Sequence, residues 1–279
     1  MDTKQIWYVT GASKGLGLAL VKKLLAGGHK VAATSRNAAQ ITAALGEHAG
    51  LLPLQVDLTN GTSIQQSLTA TVEKFGRVDV IVNNAGYGIG GSVEELSEQE
   101  IRDSFEINVF APVLVIQNAL PYLRAQRSGY IINISSIAGF AAGTGWSVYA
   151  ATKFALMGMT DILAEDVREF GIKATTIAPG AFRTEFLTND SLVLSERTIE
   201  DYTAVRQSHE KLLAMNQLQA GDPDKAAEVM IELAQMDEPP VRLFLGTDAY
   251  NRATQKIVQL SADLEKYKEL SFSTDFSKA

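Results

Sequence analysis

The 279-residue chain contains no cysteine, so disulfides and thiolate metal sites are excluded. Histidine is nearly as scarce. His29, His48 and His209 show no ligating spacing and are expected at the surface rather than on zinc. Cationic residues are outnumbered, with 25 Lys and Arg against 32 Asp and Glu, and the net charge of −7 speaks against a nucleic-acid partner. No run approaches the ~20 apolar residues of a membrane span. The N-terminus leads directly into an apolar strand without signal or transit features, which points to a cytoplasmic protein. Linkers, repeats and low-complexity tracts are also missing. At 46% hydrophobic and 20% charged residues the composition suits one globular domain over 1–279.

What is present alternates between two periodicities. Short apolar runs predict strands at Ile6–Thr10, Lys30–Thr34, Leu51–Gln55, Val78–Asn83, Tyr130–Ile134, Lys173–Ile177 and Val241–Leu245. Helical patterning falls between them, including Gly15–Ala26, Thr62–Phe75, and long stretches around Glu98–Ala125 and Val148–Phe170. Strands alternating with helices imply an α/β fold, a doubly wound parallel sheet covered on both faces. Gly11, Asn83, Ser136 and Pro179 all fall at or just after strand ends, where such sheets bind ligands.

The first strand runs into Gly11-Ala-Ser-Lys14-Gly15-Leu16-Gly17, and an apolar-periodic helix starts at once. Glycine admits φ > 0 and lets backbone approach a pyrophosphate, while the helix N-terminus offers free N–H groups to the anion. The spacing is G-x-x-x-G-x-G, and a turn of this kind can also form without a ligand. Further on, Tyr149 and Lys153 lie four apart on a helix and so project from one face, 13 residues after Ser136. An ammonium beside a phenol favours the phenolate and is expected to bring the tyrosine pKa down towards the working range.

Together these residues resemble the short-chain dehydrogenase/reductase family from about Lys4 to Leu245. Thr10-Gly11-Ala12-Ser13-Lys14-Gly15-Leu16-Gly17 looks like the family's dinucleotide turn, Asp57-Leu58 like its adenine-side contact, and Asn83-Asn84-Ala85-Gly86 like its fourth-strand motif. Pro179-Gly180, with Phe182 and Thr184 beyond, looks like the nicotinamide-side loop. The resemblance implies a catalytic set of Asn108, Ser136, Tyr149 and Lys153. In it Tyr149 exchanges the proton, Ser136 orients the carbonyl, Lys153 acts on Tyr149 and on the nicotinamide ribose, and Asn108 anchors a water relay. Asn108 could equally be a buried asparagine satisfying backbone, and Asp57 a strand-end turn residue. The 13-residue spacing selects Ser136 over Ser135.

Family members that prefer NAD carry an acid after the second strand. Here that place reads Thr34-Ser35-Arg36, with Lys14 in the glycine turn, unless both cations are merely solvated. Two cations and no acid suit a 2′-phosphate, so NADP(H) is expected over NAD(H). Tyr87, Ile89, Phe140, Trp146, Phe182 and Phe186 form the expected pocket wall, with Tyr87, Phe140, Trp146 and Phe186 as substrate contacts. An apolar wall favours a bulky, uncharged carbonyl or secondary alcohol, and the segments around it look most like the hydroxysteroid dehydrogenase and carbonyl reductase branch. Arg183 could point either way.

Residues 185–220 are expected to cover the substrate, or to be ordinary surface helices. Ala253, Ile257, Leu260, Leu264 and Tyr267 repeat at helical spacing and predict a C-terminal helix near 249–270 packed on the body or on a second subunit. A loosely held tail, 271–279, is expected after it. The small residues Ala150, Ala151, Ala155 and Gly158 could admit a partner helix, giving a homodimer or homotetramer. The alternative to an enzyme is a non-catalytic NADP(H)-binding regulator. A nucleotide-sugar epimerase or dehydratase of the extended group would instead show a G-x-x-G-x-x-G turn, which this sequence lacks.

Overall fold

The computed structural model describes residues 4–188 and 191–276. Positions 189–190 of the expected lid and 277–279 of the expected tail lie outside the described residues. The chain opens with β1 (Ile6–Val9), α1 (Gly15–Ala26), β2 (Lys30–Ser35), α2 (Ala38–Leu45), β3 (Leu51–Gln55), α3 (Gly61–Phe75) and β4 (Val80–Asn83). A three-residue strand β5 (Gly88–Gly90) precedes α4 (Glu98–Phe105) and α5 (Ala111–Gln126), which are joined through a π turn at Glu106–Phe110. Then come β6 (Gly129–Ile134), α6 (Ser147–Asp166), β7 (Ile172–Pro179), β8 (Leu192–Leu194), α7 (Thr203–Ala214), α8 (Pro223–Gln235) and β9 (Arg242–Leu245). Helices α9 (Thr247–Lys266) and α10 (Lys268–Phe272) complete the described chain.

The fold is a single α/β domain around one seven-stranded sheet, ordered β3-β2-β1-β4-β6-β7-β9 with every pairing parallel. Side chains alternate faces along each strand. Trp7, Val9, Val31, Val80, Val82 and Ile132 enter one core with the apolar stripes of α1 and α8. Tyr8, Ala32, Ile81 and Ile131 enter the other, beneath α3, α5 and α6. Strands buried on both sides explain why they read as near-continuous apolar runs. The order reverses between β1 and β4, which opens a crevice at their C-terminal ends.

Three features depart from the sequence reading. Strands β5 and β8 pair parallel as a second, small sheet, and a Cβ on Gly88 or Gly90 would lie within 2.8 Å of Leu192 or Leu194. His29 and His209 are both buried rather than at the surface. The His29 ring stands edge-on to Trp7 and accepts from Gln5 N, while His209 meets Trp146 edge-on at 4.8 Å and bonds Gly145 O. Burial with a polar partner and an aromatic neighbour accounts for both. Lastly, α9 rests on the body through Ala249 and Ala253, but Ile257, Leu260, Leu264 and Tyr267 are exposed beyond its edge. The expected tail is helical where α10 reaches into it. Among the described residues no helix is long and apolar enough to cross a membrane.

Helix α1 sits so close to the turn before it that a Cβ on Gly17 would come 2.5 Å from both Gly11 O and the Asn84 amide. Gly17→Ala is therefore expected to lower the unfolding free energy by about 1–3 kcal/mol in urea denaturation. An unchanged midpoint would show that the turn can give way.

Candidate active site

The crevice is a cavity of about 1040 Å³ running from the β1–α1 turn to the segment above β5. Its first wall is the glycine turn. Gly11 and Gly15 have φ of +63° and +58°, a region that favours glycine. Helix α1 begins at Lys14 without a capping side chain. Its first residues, Gly15 and Leu16, line the cavity, and Gly15 N donates to the Glu185 carboxylate at 3.3 Å. An anion already stands at this helix N-terminus, as the dipole favours. The uncapped turn, the glycines and an elongated cavity fit a dinucleotide.

Most of the expected cofactor residues line this cavity: Gly11, Ser13, Lys14, Gly15, Leu16, Arg36, Asp57, Leu58, Asn84, Ala85, Gly86, Pro179, Gly180, Phe182 and Thr184. Gly17 does not; it lies beneath the turn as a packing residue. Asn84 has a structural duty as well. Its N–H and that of Ala85 donate to Thr10 Oγ1 at 3.0 Å, and its amide donates back to Thr10 O and Gly11 O. Asp57 accepts from the backbone and hydroxyl of Thr59, which holds its pKa below the usual value and makes it a strand-end turn residue that also borders the cavity.

Ser136, Tyr149 and Lys153 meet at the cavity floor. Ser135 donates to Lys153 O at 2.9 Å, and the Ser136 hydroxyl accepts from Ala138 N at 3.1 Å. Lys153 Nζ donates to Ile134 O at 3.1 Å and stands 5.8 Å from the Tyr149 ring centroid. The expected lowering of the Tyr149 pKa is not what the site produces. Burial pushes Tyr149 up to about 12, with the nearby Ser136 hydroxyl working against it, and burial pulls Lys153 down to about 8. Desolvation outweighs the attraction because each group sits in a dry wall.

Asn108 lies behind that floor, fully buried in the π turn rather than on the cavity. Its amide oxygen accepts from Tyr87 N at 3.1 Å and its nitrogen donates to Tyr87 O at 2.9 Å. A Cβ on Gly86 would lie 2.8 Å from Asn108 Oδ1 and 3.3 Å from Lys153 Nζ, so the three residues are immediate neighbours.

Tyr87, Ile89, Trp146 and Phe186 line the far end of the cavity as expected. Phe140 does not. It packs on Phe244 at 5.1 Å, beside Ala249 and Ala253, because α9 gives it an apolar surface away from the crevice. Arg183 also points elsewhere, donating twice to Gln219 O. The segment over this end is held by a pair the sequence reading missed. Glu95 is buried, accepts from Ser92 N and Ile199 N at 2.9 Å, and pairs with Arg206 on α7. No local pattern marks two such charges, 111 residues apart, as partners. Lys211, Leu212 and Met215 from this segment, and Asp248 and Arg252 from α9, complete the wall.

The family model for short chain dehydrogenase matches residues 5–192. The chain belongs to the short-chain dehydrogenase family. It is 35% identical to the oxidoreductase BOA17 of Botryotinia fuckeliana over 97% of this chain and 99% of that one. It is also 35% identical to a 3-ketodihydrosphingosine reductase of Bacteroides thetaiotaomicron, over 87% and 88% of the two chains. A short-chain dehydrogenase from Streptomyces avermitilis superposes with a TM-score of 0.89 at 36% identity, covering 98% of this chain and all of that one. The protein is thus an oxidoreductase of this family.

The Lys153 environment carries a pH signature. Its folded pKa of about 8 lies below the free value of 10.5, so between these values the unfolded chain binds more protons. Stability from this group therefore rises with pH through that window and is lost as pH falls through about 8. Without ligand, wild type is expected to gain on Lys153→Met from pH about 8 to 10, with a slope of up to ~1.4 kcal/mol per unit. Parallel stability curves would mean that Lys153 is solvated.

Proposed function

We propose that this short-chain dehydrogenase is a cytoplasmic NADP-dependent oxidoreductase acting on a bulky, apolar ketone, aldehyde or steroid-like carbonyl, or on the corresponding secondary alcohol. The observation that carries the reading is the meeting of Ser136, Tyr149 and Lys153 on one cavity with the uncapped glycine turn. A dinucleotide held there would supply the hydride. Ser136 donates a hydrogen bond to the carbonyl oxygen, and Tyr149 passes its phenolic proton to the same oxygen as negative charge develops. A tyrosine held near 12 stays protonated at neutral pH, which suits the reductive direction. Lys153 would hold the dinucleotide's ribose hydroxyls and offer positive charge to the Tyr149 phenolate left behind. Asn108 fixes Gly86 and Tyr87 against this pair through its two bonds to the Tyr87 backbone.

Cofactor preference rests on Lys14 and Arg36, which line the cavity beyond β2, where no carboxylate follows the strand. A planar guanidinium and an ammonium suit a 2′-phosphate better than a bare ribose. The substrate end, with Tyr87, Ile89, Trp146, Phe186, Val193 and Leu212, favours apolar bulk. A ketone accords with the Bacteroides relative, which is named for reducing a 3-keto compound. We also propose a homodimer or homotetramer. Ala151, Phe154, Ala155, Gly158 and Ile162 form an exposed face on α6, and Phe110 is exposed on the π turn that packs against that helix.

NADPH consumption against a panel of ketones, aldehydes and steroids tests the reaction. Tyr149→Phe is expected to lose at least ~100-fold in turnover. Arg36→Ala and Lys14→Ala are each expected to cut the preference for NADPH over NADH about tenfold. Tight NADPH binding without reduction of any carbonyl would point to a cofactor-sensing regulator instead. By light scattering the wild type is expected above monomer mass, and Ile162→Glu is expected to shift it downward.

A further inference from the structure

The first turn of the C-terminal helix belongs to the active site. Gly246, with φ of +101°, turns the chain out of β9, and its carbonyl accepts from Tyr250 N, so α9 starts directly above the sheet edge. Gly180 N donates to Leu245 O at 2.9 Å, carrying the β7–β9 pairing one residue past Pro179. The start of α9 is therefore held beside the loop that follows β7.

Asp248 spans that gap. One carboxylate oxygen accepts from Ala181 N at 2.9 Å. A Cβ on Gly180 would fall 2.0 Å from the other oxygen and 2.3 Å from the first. Gly180 is not among the glycines with positive φ, so backbone conformation does not demand glycine there. The space does, because the carboxylate occupies it. One helical turn later Arg252 also borders the cavity and donates to Ala141 O, in the loop that begins at Ser136. One face of α9 thus ties down the loops after both β6 and β7.

We infer that Asp248 is a positioning residue for the cofactor: it fixes the 179–184 loop, and with it Phe182 and Thr184, against the cavity, and Gly180 is glycine to admit its carboxylate. This rests on the reading that a nicotinamide dinucleotide fills the crevice. Charge alone predicts the reverse effect, since removing an anion beside a polyanionic ligand would strengthen binding.

The test is a set of variants, Asp248→Ala, Asp248→Asn, Gly180→Ala and the Gly180→Ala/Asp248→Ala double, read by NADPH titration and by melting temperature. Asp248→Ala is expected to raise the NADPH Kd about tenfold, and its KM more than it lowers kcat. Asp248→Asn, which keeps an acceptor for Ala181 N, is expected to recover most of the binding. Gly180→Ala is expected to lower the melting temperature, and the double to melt above it, since the clash has been removed. If Gly180→Ala does not fold, recovery of folding in the double supports the contact, and a double that also fails overturns it. Unchanged or tighter NADPH binding by Asp248→Ala overturns the inference, as do additive losses in the double. A wild type that binds neither NADPH nor NADH defeats the functional reading and the cofactor role with it, while the melting cycle still reads the Gly180–Asp248 contact.

Discussion

Gly11 lies so close to the chain leaving β4 that a side chain there would bring its Cβ within 2.8 Å of Ala85 Cα. Everything at the crevice depends on this approach. It is locked by reciprocal bonds in which Thr10 Oγ1 takes the N–H groups of Asn84 and Ala85 and the Asn84 amide returns to Thr10 O and Gly11 O. Two central strands are thereby stapled at the point where the order of the sheet reverses, and their helices leave to opposite faces. The glycines serve the floor of the site as much as any ligand above it. Bonds of this kind are costly to leave unmade, so they hold the two strand ends together.

Electrostatics inside that frame is governed by burial. Tyr149 and Lys153 both sit in dry walls, and both are shifted towards their neutral forms. A helix-face argument places the two side chains correctly but cannot supply the desolvation, which depends on what α6 is packed against. The same burial that holds Tyr149 as an acid leaves Lys153 poorly solvated, with Ile134 O as a hydrogen-bond acceptor. Polar hydroxyls brought to Nζ would replace the missing water.

The legible part of the fold is the part written in local periodicity. Seven strands alternate buried faces, the glycine spacing marks the turn, and the four-residue step from Tyr149 to Lys153 marks one helical face, each pattern contained in a short stretch of sequence. What stayed hidden depends on distant partners. Strand β8 is three residues long and finds its place only because Gly88 and Gly90 leave room for Leu192 and Leu194. Glu95 and Arg206 carry no local signal of pairing, and only the fold brings the partly buried guanidinium to the buried carboxylate. Phe140 looked like a pocket residue because its neighbours in sequence are, yet Phe244 and α9 draw it the other way. His29 and His209 repeat the lesson, each buried by an aromatic ring from another element.

The π turn at Glu106–Phe110 carries a consequence for how such a chain can vary. Its closing bond runs from Ala111 N to Glu106 O, so it spends one residue more than an α turn. At 3.6 residues per turn that extra residue offsets the phase of α5 from α4 by about 100°. The two helices therefore carry two independent stripes, one on each side of Asn108, although their sequence reads as a single stretch. Deleting any one residue from the turn would restore a continuous helix and swing one stripe off its packing surface. The length of the stretch, more than the identity of its exposed residues, is what the packing of both helices constrains.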